Sequence, residues 1–93
     1  MKVIQSPQFA RKIKKFHKNQ KETLDIHIRK IINNPQLGQE KKGDLKGIFV
    51  YKFKIKDIQY LIAYRFVKNN IELITIGLHA NYYRDLKSYL KNR

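Results

Sequence analysis

Leu45–Tyr83 reads LKGIFVYKFKIKDIQYLIAYRFVKNNIELITIGLHANYY, and its alternation decides the fold. Phe49, Tyr51, Phe53 and Ile55 alternate with Val50, Lys52, Lys54 and Lys56. That is the period of two of a half-buried strand. Lys56-Asp57 marks a turn. Beyond it Tyr60, Ile62, Tyr64 and Phe66 share one face of a second strand, with Leu61, Ala63 and Arg65 opposite. Asn69-Asn70 predicts a hairpin turn, because Asn tolerates positive φ. Ile71 to His79 is almost wholly apolar, as expected of a central strand covered on both sides.

Working outward, Met1–Gln5 is a short apolar start that suits an edge strand. Ser6-Pro7 signals a helix start: a side-chain oxygen for free N–H groups, then Pro at the first helical position. Phe9, Ile13 and Phe16 fall at helical spacing between Pro7 and Asn19. After a break at Asn19-Gln20, a second helix carries Leu24, Ile28, Ile31 and Ile32 on one side. It ends at Asn33-Asn34-Pro35, where Pro disfavours continuation. Residues 36–47 read as loop, punctuated by Gly38, Gly43 and Gly47. Tyr82, Tyr83, Leu86, Tyr89 and Leu90 predict a short C-terminal helix over Asn81–Lys91.

Two helices must bury their apolar stripes, and the aromatic sheet face is the large partner available. The expected fold is α+β, a single domain over residues 1–93. A β-α-α-β-β-β core has its antiparallel sheet packed on a helical hairpin. The other sheet face is then expected to display Lys52, Lys54, Arg65 and His79.

Composition narrows the function. Twenty-one Lys and Arg against seven Asp and Glu leave a formal charge of +14. Such a domain repels itself, which points to a polyanionic partner, nucleic acid or an acidic protein; a compositional lysine bias is the alternative. Cys is absent, so disulfides and thiolate metal sites are excluded, and the three His show no ligand spacing. No apolar run is long enough for a bilayer and no signal pattern follows Met1. A cytoplasmic protein without metal or cofactor is the expectation.

Lys52 and Lys54 stand about 6–7 Å apart along one strand face, close to the spacing of successive phosphates. Such a pair can hold a single-stranded backbone or neutralise charge building on phosphate; a solvated strand face is the alternative. His79 follows Thr75 and Gly77, small residues on its face, and histidine suits proton transfer near neutral pH. It can equally cap the strand end. Tyr82 and Tyr83 can stack on bases or pack on the core. Arg65 can bind phosphate or pair with Asp57, Glu72 or Asp85, and Lys56 extends the basic field. His17 and His27 lie on lysine-rich helices and read as surface residues.

The order of these parts resembles the RelE/ParE superfamily of bacterial type II toxins. The residues that carry the likeness are the Leu45-Lys46-Gly47 turn, Tyr51-Lys52-Phe53-Lys54, Tyr60-Leu61-Ile62-Ala63-Tyr64-Arg65 and Gly77-Leu78-His79-Ala80-Asn81-Tyr82-Tyr83. The ending resembles the Gly-x-His-x-x-x-aromatic close of YafQ-type ribonucleases. The likeness implies a toxin neutralised by an acidic antitoxin. In the RelE branch it implies a metal-independent endoribonuclease that cleaves mRNA on the ribosome through the ribose 2′-OH. Carried over, Lys52 and Lys54 orient mRNA and stabilise the phosphorane, His79 is general acid or base, and Tyr83 stacks or assists proton transfer. Arg65, Tyr82 and Lys56 are the substrate-binding set. The ParE branch instead implies inhibition of DNA gyrase, and a non-catalytic basic binding module is a third possibility. Ribonuclease members usually place arginine where this chain has Leu61. Arg65 lies roughly 13 Å further along the strand, too far to stand in for it.

Overall fold

The computed structural model describes residues 2–78. In chain order the elements are β1 (Val3–Gln5), α1 (Pro7–Ile13), α2 (Lys18–Asn33), β2 (Gln39–Glu40), β3 (Ile48–Ile55), β4 (Ile58–Val67) and β5 (Asn70–Leu78). They form a five-stranded sheet in the order β1-β5-β4-β3-β2. β1 runs parallel to β5, and every other pairing is antiparallel. The expected α+β class and the three-strand meander are present. The segment from Asn81 read as a terminal helix lies outside the described residues.

The alternation in Leu45–Tyr83 builds two unlike sheet faces. Phe53, Ile55, Ile62, Tyr64, Ile71, Leu73 and Ile76 point to one side and close a core with Phe9, Leu24 and Ile31 of the helices. Stacked and edge-on rings fill the rest, with centroids 5.5 Å apart for Phe49 and Tyr64 and 5.9 Å for Phe53 and Tyr60. Ser6 ties α1 to β5. Its Oγ accepts from Phe9 N–H at 3.0 Å and donates to the Ile74 carbonyl at 2.6 Å. Its own N–H donates to the Leu73 carbonyl at 3.0 Å. One side chain thus caps the helix and sets its place on β5.

Four details depart from the sequence reading. α1 ends at Ile13 rather than near Asn19. Lys15 and Phe16 donate to carbonyls three residues back, at 3.3 and 3.1 Å, which tightens the chain into a turn. Phe16 kept the helical period only because its ring still reaches Tyr60, 5.6 Å away. α2 then restarts at His17, whose N–H donates to Gln20 Oε1 at 2.7 Å. The 36–47 segment is not all loop, since Gln39 and Glu40 pair with Val50 and Phe49 as a short edge strand. The second hairpin turns on Lys68 and Asn69, with φ of 51° and 69°. This is the pair of positive values a two-residue primed turn requires, and Asn70 already pairs with Val67.

The fourth difference concerns the face opposite the helices. It is not an open basic surface along its length. Leu45, Ile48, Val50, Leu61, Ala63 and Ile74 make a second buried cluster there. A bulge between Ala63 and Tyr64 turns both Ile74 and Thr75 toward it. Alternation marks which residues share a face, but it does not say how much of that face is covered.

Candidate functional site

That second face divides along its strands. At one end Arg65 Nε donates to Glu72 Oε1 at 2.6 Å, with side chains 20% and 14% exposed. The middle is the aliphatic cluster. At the other end Lys52 and Lys54 are exposed on β3, separated by buried Phe53 pointing the opposite way. Lys52 pairs with Leu61 and Lys54 with Gln59. Leu61 pairs in turn with Gly77 on β5. Directly opposed residues point the same way, so Lys52, Leu61 and Gly77 form one row across three strands.

The sequence-derived residues are therefore placed unevenly. Lys52 and Lys54 come together as expected. Lys56 is exposed in the β3–β4 turn with φ 56°, near the same end. Arg65 is committed to Glu72, one of the pairings its position allowed. His79, Tyr82 and Tyr83 lie outside the described residues. Leu61 is fully buried within the aliphatic cluster, so the position where the resemblance anticipates a guanidinium is covered and apolar.

Two features have no clear signal in the sequence. Lys12 of α1 reaches Thr75 Oγ1 at 3.3 Å, although it reads as one of many helix-surface lysines. A Cβ built on Gly77 would lie 3.6 Å from its Nζ, so the ammonium stands over that glycine. Beside it opens a cleft of about 290 Å³ between Phe16, Tyr60 and Leu78. The second feature is His27, which is half-buried rather than freely exposed. Its Nδ1 lies 2.6 Å from Tyr51 Oη, and its ring packs on Phe53 with centroids 4.8 Å apart. Burial first, and the Lys30 charge second, hold its pKa below the usual 6.5. Burial likewise raises the Tyr51 hydroxyl above its usual 10. This pair sits on the helix side of the sheet and bridges α2 to β3, away from Lys52 and Lys54. Among the described residues no cluster of three or more His, Cys, Asp or Glu is arranged to hold a metal, and no helix is long and apolar enough to cross a membrane.

A five-stranded, mostly antiparallel sheet backed by two helices, with Lys52 and Lys54 on β3, defines a small α+β fold. The sequence model for ParE-like toxins of type II bacterial toxin-antitoxin systems matches residues 3–87, and the chain belongs to this family. Solved structures agree in fold. A chain of the intact E. coli RelBE toxin-antitoxin complex superposes with a TM-score of 0.66 at 14% identity, covering 83% of this chain and 94% of that one. The isolated E. coli RelE toxin gives 0.66 at 15% identity over 94% and 96%. A YoeB/ParE toxin from Agrobacterium tumefaciens gives 0.63 at 17% over 85% and 99%. No curated protein matches the chain.

Proposed function

We propose that this toxin is an endoribonuclease that cleaves mRNA on the ribosome and is neutralised by an acidic antitoxin. The observation that carries the reading is the Lys52–Lys54 pair. Among the described residues, these two exposed lysines stand at one end of a face whose middle is aliphatic and whose other end carries the Arg65–Glu72 ion pair. Their spacing suits consecutive phosphates, and an aliphatic surround strengthens their field relative to open water. The ribose 2′-oxygen attacks the adjacent phosphorus while the bond to the 5′-oxygen of the next nucleotide breaks. A base takes the 2′-hydroxyl proton and an acid protonates the leaving oxygen. Lys52 and Lys54 neutralise the charge that builds on the phosphoryl oxygens, and His79 and Tyr83 are proposed for the proton transfers. The +14 charge suits both mRNA and an acidic antitoxin.

The test is to map mRNA 5′ ends minutes after inducing the protein alone. Codon-phased cuts that disappear in Lys54→Ala support the reading. Growth arrest with intact mRNA and broken chromosomal DNA sinks it. That second outcome would fit a gyrase-directed toxin, a reading favoured by one observation: buried Leu61 and ion-paired Arg65 leave no free guanidinium among the described residues of this face.

A further inference from the structure

Lys54 does not stand alone at its end of the sheet. The β3–β4 hairpin turns on Lys56 and Asp57, Ile55 and Ile58 close it, and the next pair inward is Lys54 and Gln59. Directly opposed residues share a face, with Cβ atoms about 4.5–5.5 Å apart. The Gln59 side chain therefore starts beside the Lys54 stem, on the face that carries Lys52. Burial changes along this face. Leu61, two residues further on β4, is fully buried, whereas Gln59 is half-buried and both lysines are exposed. The accessible part is the hairpin end, short of the aliphatic middle. Neither Gln59 nor Lys54 has a side-chain hydrogen-bond or ion-pair partner among the described residues.

These side chains differ in what they can bond. An ammonium group carries donors and no acceptor, whereas a primary amide carries both. Lys52 and Lys54 can hold phosphoryl oxygens but cannot accept from a hydroxyl; Gln59 Oε1 can. Asp57 also carries acceptors, but it belongs to the turn rather than to a strand pair, and its carboxylate repels phosphate. Each ribose of RNA presents its 2′-hydroxyl beside the 3′-phosphate of the same nucleotide, and that hydroxyl is what separates RNA from DNA. A cation next to a neutral acceptor matches those two groups.

We propose that Gln59 accepts a hydrogen bond from a ribose 2′-hydroxyl of the bound strand while Lys54 holds the neighbouring phosphate, so that the pair selects RNA over DNA. The inference rests on the ribonuclease reading above and deepens it. An amide is too weak a base to take the proton. Gln59 thus recognises and positions the ribose, and the proton transfers stay with other groups.

The test compares a short single-stranded RNA with a 2′-fluoro oligonucleotide of the same sequence, titrated onto the purified full chain off the ribosome, where the reading expects no cleavage. Fluorine keeps an RNA-like sugar shape but has no proton to donate. The parent is expected to bind the RNA about three- to tenfold more tightly, the worth of one hydrogen bond. Gln59→Leu, which keeps the bulk of the side chain, should bring the two affinities together by weakening RNA binding only. Gln59→Glu retains an acceptor, so the preference should persist while repulsion of phosphate lowers both affinities. Lys54→Ala should weaken both oligonucleotides alike. A preference absent from the parent, or one that survives in Gln59→Leu, overturns the role of Gln59; the ribonuclease reading stands if Lys54→Ala still weakens both. Undiminished binding of both oligonucleotides by Lys54→Ala overturns the two together.

Discussion

The two faces of one sheet solve different problems with residues that alternate along the same strands. The helix-side face is aromatic, and its polar atoms are tied down. Tyr64 is fully buried, donates to the Pro35 carbonyl and accepts from Gly38 N–H, both at 2.8 Å. Gly38 is required there, since a Cβ would meet Tyr64 Oη at 2.8 Å. The opposite face uses small aliphatic residues and leaves its charge at the ends, one end ion-paired and the other exposed. Mass and fixed hydrogen bonds on one side hold the fold, and that frees the lysine end of the other to meet an anion.

The sharpest way to break this contrast is to exchange cost for function. Tyr64→Ala empties the aromatic core and orphans two backbone groups, so a loss of about 3–5 kcal/mol is expected, read by chemical denaturation. Tyr64→Phe keeps the packing and should cost about 1–2 kcal/mol. Lys54→Ala should do the reverse. Its stability should stay within about 0.5 kcal/mol of the parent, while cleavage falls by about 10²-fold or more. A well-folded Lys54→Ala protein with full toxicity would remove the lysine end as the site.

The ion-paired end offers a smaller effect. Arg65→Met strands a mostly buried Glu72 carboxylate and should cost about 2 kcal/mol, between exposed and fully buried pairs. Because Arg65 is engaged structurally, the surviving folded fraction should remain active. A large loss of activity in folded protein would instead give Arg65 a direct part. The smallest effect is the pH response of His27. Its folded pKa is lowered from 6.5, so between the two values the unfolded chain binds more protons. Its contribution is complete above about pH 6.5 and is lost as pH falls below that, levelling off beneath the folded value. His27→Gln should flatten this part of the stability profile, measured by denaturation between pH 5 and about pH 7.5.

Much of this was legible because alternation is a local property. Phe49 to Ile55 and Tyr60 to Phe66 name their face without tertiary information, and Ser6-Pro7 marks a helix start that the hydrogen bonds repeat. The misread pieces depend on partners distant in sequence. Phe16 keeps helical spacing while sitting in a turn, because Tyr60 holds its ring. His27 looks like a surface residue until Tyr51 and Phe53 come beside it. Cover over the second face is invisible to a period of two, so Leu61 and Ala63 read like their exposed neighbours Lys52 and Lys54. Lys12 is one of twenty-one cations, and only its reach to Thr75 on β5 singles it out.

The most direct measurement is cleavage of a defined mRNA on purified, programmed ribosomes by the parent protein and by the Lys52→Ala/Lys54→Ala double variant, followed by primer extension. The account predicts discrete cuts by the parent and cutting reduced by about 10²-fold or more in a double variant whose thermal unfolding is unchanged. Undiminished cutting by that folded variant, or none by a parent that still arrests growth, would contradict it.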